Sequence, residues 1–161
     1  MKAYQLDIFY DYRPVVVSRD VVQEALRLLT HSIKHKPFTL TSSQAVRDYC
    51  RLHLATREHE VFGVLFLDSQ HRLIEYRELF RGTIDGCAIY VREVAKETLR
   101  LNAAAVIFTH NHPSGVCDPS DADIGITKKL REALALFDVR VLDHIIVSTE
   151  EVVSFADRGL I

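Results

Sequence analysis

Apolar runs and amphipathic segments alternate along the second half of the chain. Short apolar runs rich in β-branched and aromatic residues predict strands, and apolar residues that recur every three to four positions predict helices. The predicted strands are EVFGVLFLD, LIEYRELF, GTIDGCAIYV, AAAVIFTH, VRVLDHIIVS and EVVSFA, and the predicted helices are REVAKETLRLN and SDADIGITKKLREALALF. SQHR separates the first two strands and predicts a hairpin. The alternation predicts an α/β fold with a mixed β-sheet flanked by helices.

The first third of the chain has a weaker pattern. AYQLDIF and RPVVVS predict extended segments, DVVQEALRLLTHSI has helical periodicity from Asp20, and TSSQAVRDYCRLHL predicts a second helix with Ser and Thr as cap candidates. The stretch HKPFTLTSS is interpreted as a connection within one domain. We therefore predict a single domain over residues 1–161, in which extended and helical segments of residues 1–59 pack on a core formed by residues 60–161.

The composition agrees with one globular domain. A chain of 161 residues should bury roughly 70% of its unfolded surface, which is enough for one sizeable core. The three cysteines are widely spaced and form no disulfide framework, so we expect a reducing, cytoplasmic environment. Acidic and basic residues interrupt MKAYQLDIFYDYRPVVV, so we expect neither a signal peptide nor a membrane span there.

The net charge of −2 and a pI near 6.4 provide no global basic field. Nucleic-acid binding is therefore not indicated by charge, although a local basic patch would be compatible with it. Lys128, Lys129 and Arg131 form a small basic face on a predicted helix, which we interpret as solvated surface.

The stretch FTHNHPSGVCDPSDAD carries the candidate chemistry. Alternate residues of an extended segment point the same way, so His110 and His112 can present two imidazoles to one point. A Pro-Ser-Gly turn returns the chain to a helix start at Ser120, and Asp123 lies in the first turn of that helix. Two imidazole nitrogens and a carboxylate oxygen suit Zn²⁺, and three protein ligands leave the fourth tetrahedral position for water, as in catalytic sites.

Other interpretations of the same stretch remain open. Ser120 and Asp123 have the spacing of a capping box, which can coexist with metal binding if Asp121 or the backbone supplies part of the cap. Cys117 lies in the loop, where a thiolate could replace one of the predicted ligands. The tripeptide HNH does not by itself indicate an HNH nuclease.

The pattern His110-x-His112-x₇-Ser120-x₂-Asp123 resembles the JAMM motif of the JAB/MPN metalloproteases. AAAVIFTHNHPSG, PSDAD, VRVLDHIIVS and VSFADRGLI resemble specifically the RadC-like branch, over roughly Glu60 to Ile161. The resemblance implies a three-layer fold akin to that of cytidine deaminases, one zinc per chain, and a peptidase or isopeptidase (a hydrolase) with a peptide or protein substrate.

The resemblance also implies roles for two further residues. Glu60 immediately precedes the apolar run VFGVLFLD. It is expected to be the general base that takes a proton from water and delivers it to the leaving amine. Ser120 is expected to donate a hydrogen bond to the oxyanion. Glu58 is the alternative base; the remaining acidic candidates are Glu75, Glu78 and Glu93. Asp143 and His144 are interpreted first as a structural pair, with an indirect role at the metal as the alternative.

Two other functions compete with the metallohydrolase. The RadC association implies a DNA-repair or mobile-element accessory protein that acts through nucleic-acid or protein binding. Residues 1–59, however, contain none of the Gly-rich hairpins of a helix-hairpin-helix region. A cytidine deaminase would need His-x-Glu and Pro-Cys-x-x-Cys, and the chain has neither at this site.

Overall fold

The computed structural model describes residues 42–83 and 86–161, together with positions 20, 21, 23–25, 27 and 28. The last group is helical, in agreement with the helix predicted from Asp20. The rest of that predicted helix, and the predicted extended segments AYQLDIF and RPVVVS, lie outside the described residues. The predicted extent of one domain over residues 1–161 therefore stays a prediction.

The described residues from 42 onwards contain three helices and five strands, in the order α1, β1, β2, α2, β3, α3, β4, β5. Their bounds are Ser43–Leu54 for α1, Val61–Leu67 for β1, Leu73–Arg81 for β2, Val91–Arg100 for α2, Ala105–Asn111 for β3, Asp121–Ala135 for α3, Arg140–Val147 for β4 and Val152–Ser154 for β5. The strands form one sheet in the order β2-β1-β3-β4-β5. β3 and β4 are parallel, and the other neighbours are antiparallel. This mixed sheet with flanking helices confirms the predicted fold class.

The sheet lies between two helical layers. Alternate residues of β1 and β3 point to opposite faces, which divides the core in two. On one face, the apolar side of α1 packs against residues such as Leu65 and Ile107. On the other face, α2 and α3 pack against a second cluster that includes Phe62 and Phe108. His110 has the same alternation as Phe108, so it points to the α2 and α3 side.

The predicted strand GTIDGCAIYV is wrong for the described residues of that segment. Residues 82, 83 and 86–90 have no strand assignment. Thr83 N donates to Gly86 O at 2.9 Å, so the chain turns here instead of extending. The apolar residues Cys87 and Ile89 pack on the second core cluster instead, which explains why the segment has the composition of a strand.

α3 connects the two parallel strands. A parallel pair needs such a crossover, which returns the chain to the start of the second strand. The carboxyl end of β3 therefore lies beside the amino end of α3, where α/β sheets commonly hold their sites. None of the helices in the described part of the chain has the length and apolar content needed to cross a bilayer.

Candidate metal centre

His110, His112 and Asp123 converge where β3 ends and α3 begins. One side-chain ligand atom from each residue lies within 4.8 Å of the other two. His110 Nε2 is 2.9 Å from His112 Nε2 and 3.2 Å from Asp123 Oδ1, and His112 Nε2 is 3.5 Å from Asp123 Oδ2. The structure therefore brings together the three residues predicted as ligands.

The loop after β3 fixes the orientation of His112. Gly115 N donates to His112 O, and Gly115 has a φ of 89°, a backbone conformation that glycine adopts without strain. The turn brings Val116 O to 2.7 Å from His112 Nδ1. A carbonyl oxygen can only accept, so His112 Nδ1 carries the proton and Nε2 presents its lone pair to the cluster. Donation from the second ring nitrogen to a backbone carbonyl is typical of histidines that bind metals.

Asp123 serves both the helix cap and the cluster. Its Oδ2 accepts from Ser120 N at 2.9 Å and from Ser120 Oγ at 2.5 Å, and its own N–H donates to Ser120 Oγ at 3.1 Å. This is the capping box expected from the spacing. Its Oδ1 faces His110. Capping and metal binding are compatible, because each can use a different carboxylate oxygen.

The electrostatics of the cluster favour a cation. Burial alone would raise the pKa of Asp123, but the adjacent His110 and His112 rings and the hydrogen bond from Ser120 hold that pKa far below its ordinary value. The adjacent Asp123 carboxylate raises the pKa of His112, against the opposing effect of burial. A carboxylate and two ring nitrogens this close together need a proton or a cation between them. The donor set and its spacing therefore fit a bound metal such as zinc.

Glu60 lines the same cavity as the cluster. Its backbone continues the β1–β2 pairing, since Glu60 N donates to Thr83 O and Gly82 N donates to Glu60 O. Its half-buried side chain borders a cavity of about 550 Å³. The other residues that line the cavity are Gly86, Cys87, Ile89, His112, Pro113, Ser114, Ser120, Ala122, Asp123 and Ile126. The predicted base, the predicted oxyanion donor and two of the three predicted ligands thus share one cavity.

The other acidic candidates lie elsewhere. Glu58 is exposed and borders a separate cavity of about 250 Å³ on another side of His112. Three more form ion pairs with basic neighbours: Glu75 with Arg77, Glu78 with Arg57, and Glu93 with Lys96. Position therefore favours Glu60 over Glu58 as the base, and the role itself stays a prediction.

Cys117 lies apart from the cluster. Its Sγ is 3.3 Å from Ile146 O and 3.4 Å from Glu151 O, and its side chain packs with Val153 and Phe155 in a small buried cluster. Burial raises the pKa of this thiol, which disfavours the thiolate that a metal would need. The geometry therefore gives no support to a thiolate ligand at this position.

Asp143 and His144 have separate tasks, although they are adjacent. Asp143 accepts from Ser154 Oγ at 2.6 Å and from Ala156 N at 2.9 Å, so it holds β5 and the following turn against β4. His144 points to the other face of the sheet, where its Nε2 lies 2.8 Å from His110 Nδ1. Asp143 is therefore a structural residue, as one of the two interpretations expected. His144 matches the other interpretation, because it contacts His110, a predicted metal ligand.

Asn111 is a residue that the sequence did not single out. It points to the opposite face from His110 and is buried. Its Oδ1 accepts from Val61 N at 2.8 Å, and its Nδ2 donates to His59 O at 3.0 Å. These bonds fasten the chain on both sides of Glu60 to β3. A buried amide within HNH had to find partners, but the sequence does not say which ones.

We expect Asn111→Ala to destabilise the protein by about 1–3 kcal/mol, because it leaves the buried Val61 N–H without its partner; the partly buried His59 C=O loses a hydrogen bond as well. Urea unfolding measures the change. Gln44→Ala is the control, because the Gln44 amide bonds Asp48 on the exposed side of α1; its effect should stay within about 0.5 kcal/mol. Equal effects from the two variants would contradict the role assigned to Asn111.

The fold and the site together define the class of this protein: it is an α/β domain with a candidate metal centre at the end of a central strand. The family model described as "RadC-like JAB domain" matches residues 40–160. The chain therefore belongs to the RadC-like JAB domain family, which confirms the resemblance inferred from HNHPSG and the segments around it.

Proteins similar to this chain carry the name UPF0758 protein. The relative from Leptothrix cholodnii is 57% identical over 141 residues, which are 88% of this chain and 63% of the relative. The relative from Methylibium petroleiphilum is 55% identical over 141 residues, again 88% of this chain and 63% of the relative. The relative from Vibrio cholerae is 54% identical over 140 residues, 86% of this chain and 87% of the relative. The chain thus spans somewhat less than two thirds of the first two relatives.

Proposed function

We propose that this domain is a zinc-dependent metallohydrolase that cleaves a peptide or isopeptide bond. One observation carries the proposal: two histidines and an aspartate form a group that could hold a metal, and two of these three residues line the same cavity as a glutamate and a serine. Three protein donors leave one tetrahedral position open, which is typical of catalytic zinc sites.

His110, His112 and Asp123 would hold the zinc. Zinc at such a site acts as a Lewis acid and lowers the pKa of water to near neutrality. Glu60, at the edge of the same cavity, would accept the proton of the attacking water and deliver it to the leaving amine. Apolar side chains such as Ile89 and Ile126 line part of this cavity.

Ser120 would donate its hydroxyl hydrogen bond to the oxyanion of the tetrahedral intermediate. In the structure this hydroxyl donates to Asp123 Oδ2. The proposed role therefore requires the hydroxyl to turn from Asp123 towards the substrate. Asp123 Oδ2 would keep its second partner, the N–H of Ser120, during that turn.

We expect Ser120→Ala to keep its zinc, to lose about 10²-fold or more in turnover, and to lose roughly 1 kcal/mol of stability with its cap. Turnover, zinc content and urea unfolding are measured on the same protein. Ser42→Ala is the matched control, because Ser42 caps α1 in the same way by accepting from Ala45 N, without contact to the cluster. If both variants lose only stability, the Ser120 hydroxyl is a helix cap without a part in turnover.

The direct test of the proposal is a search for cleaved bonds. The zinc-loaded protein is incubated with peptides derived from a bacterial proteome and with isopeptide-linked model substrates, and new amino groups are identified by mass spectrometry. Products that form with the wild-type protein and disappear with a chelator would support a metallohydrolase. Products that persist after complete removal of metal would contradict it.

A further inference from the structure

A line of buried polar side chains extends from His110 into the protein, away from the cavity. His110 Nδ1 lies 2.8 Å from His144 Nε2, and His144 Nδ1 lies 2.6 Å from Thr127 Oγ1. The Thr127 hydroxyl in turn donates to Asp123 O at 2.5 Å, one helical turn back in α3. His144 and Thr127 are almost fully buried, with 0% and 2% exposed. These hydrogen bonds therefore connect His110, one predicted ligand, to the backbone of Asp123, another predicted ligand.

The direction of every hydrogen bond in this line follows from its last member. Asp123 O is a carbonyl oxygen, so it can only accept, and the single Thr127 hydrogen is committed to it. Thr127 Oγ1 must then accept from His144 Nδ1. A His144 that is protonated at Nδ1 and neutral has a lone pair at Nε2, which accepts from His110 Nδ1. His110 is thereby left with its lone pair at Nε2, the nitrogen that faces His112 and Asp123.

We propose that Thr127 and His144 are positioning residues that set the tautomer and ring orientation of His110, so that its Nε2 lone pair is presented to the metal. This inference rests on the proposed zinc site. Metal-binding histidines usually donate their second ring nitrogen directly to a carboxylate, carbonyl or water. Here a second imidazole and a hydroxyl stand between His110 and the carbonyl that finally accepts.

Aromatic packing holds the ring of His144 in place. We call the hydrogen-bonded line from His110 through His144 and Thr127 to Asp123 O the relay. The His144 ring lies against three phenylalanine rings, with centroids 5.7 Å from Phe62, 5.9 Å from Phe108 and 4.7 Å from Phe155. These rings restrict its rotation but offer no strong hydrogen-bond acceptor. The hydroxyl of Thr127 is therefore what distinguishes one ring nitrogen of His144 from the other.

Thr98 provides a matched comparison within the same protein. It is also buried in a helix, and its hydroxyl donates to Val94 O, four residues earlier, at 2.7 Å. Thr127 makes the same backbone bond and in addition contacts His144. Replacing either threonine with valine removes a buried hydroxyl and its bond to the helix. Only the change at Thr127 removes the acceptor for His144.

The test is zinc affinity, measured by competition with a chromophoric chelator. We expect Thr127→Val to weaken zinc binding by about 10–100-fold, the usual cost of losing such an outer partner. Thr127→Ser, which restores the hydroxyl, should bind zinc like the wild type, and so should Thr98→Val. Wild-type affinity in Thr127→Val, or an equal loss in both valine variants, would overturn the inference. A wild-type protein that binds no zinc would instead contradict the proposed function.

The tautomer of His144 can be measured in the wild-type protein, so this test does not depend on whether a variant folds. Long-range ¹H–¹⁵N spectra of the metal-free wild type distinguish the two ring nitrogens of each histidine. We expect His144 to carry its hydrogen at Nδ1. A hydrogen at Nε2 alone would reverse the relay and overturn the inference, even if zinc binds.

Discussion

The Glu60→Gln variant should keep its zinc and lose about 10²–10⁴-fold in turnover, which is the usual contribution of a general base. Glutamine preserves the size of the side chain and much of its hydrogen bonding, but it cannot accept the proton of a water. Glu60 is not one of the three grouped donor residues, so the metal content should not change. Turnover is measured on a peptide or isopeptide substrate identified with the wild-type protein, and zinc by elemental analysis of the same samples.

Glu58→Gln is the matched control for this prediction. Glu58 carries the same carboxylate two residues earlier, but it is exposed and borders a different cavity. We expect its variant to keep most of the wild-type turnover. The reverse result, with Glu58→Gln inactive and Glu60→Gln active, would transfer the role of base to Glu58. Loss of zinc from Glu60→Gln would make Glu60 a ligand and would require a new assignment for Asp123.

The His112→Ala variant should lose most of its zinc and, with it, all detectable turnover. Removal of His112 leaves one imidazole and one carboxylate, fewer than the three protein ligands typical of catalytic zinc sites. His112 lies at the edge of the core and is half-buried, so the fold should tolerate the change. Zinc affinity and urea unfolding of the metal-free protein separate loss of metal from loss of structure.

His71→Asn is the control for removing a histidine. His71 lies in the turn between β1 and β2, where its ring contacts Arg140, and it has a φ of 59°. Asparagine tolerates this left-handed backbone better than most residues. We expect its variant to bind zinc like the wild type. An equal loss of zinc in both histidine variants would show that the loss at His112 is not specific to the site.

The three grouped donors could be predicted because the relevant information is local. His110 and His112 alternate at the end of a buried run, and Ser120 and Asp123 mark the start of a helix. A strand followed by a crossover helix brings these two segments together in any right-handed βαβ unit. The same locality explains why the helices and strands from residue 43 onwards were mostly predicted correctly, with the described residues 82, 83 and 86–90 as the exception.

The relay behind His110 could not be predicted from the sequence. The contact between His110 and His144 joins residues 34 positions apart, and it depends on the register of two parallel strands. That register includes an irregularity between Val106 and Ile107, which shifts the alternation on β4. A one-residue change in alternation would turn His144 to the other face of the sheet. The sequence shows the histidine but does not determine the face on which it lies.

The choice between Glu60 and Glu58 also needed the structure. Both residues lie just before β1, and residues two positions apart in an extended segment point the same way. Glu60 borders a cavity that Gly86 and Cys87 also line, and Asn111 bonds the segment around Glu60 to β3, whereas Glu58 borders a different cavity. Neither feature leaves a local pattern in the sequence.

Metal analysis of the purified protein tests the central claim most directly. The wild-type chain should carry about one zinc, as a site with three protein ligands predicts. A variant in which His110, His112 and Asp123 are all replaced by alanine should carry almost none, while its α/β fold is checked by circular dichroism. Full zinc content in that triple variant would contradict the site. A wild-type protein that takes up no metal would contradict the metallohydrolase itself and favour an accessory role through nucleic-acid or protein binding.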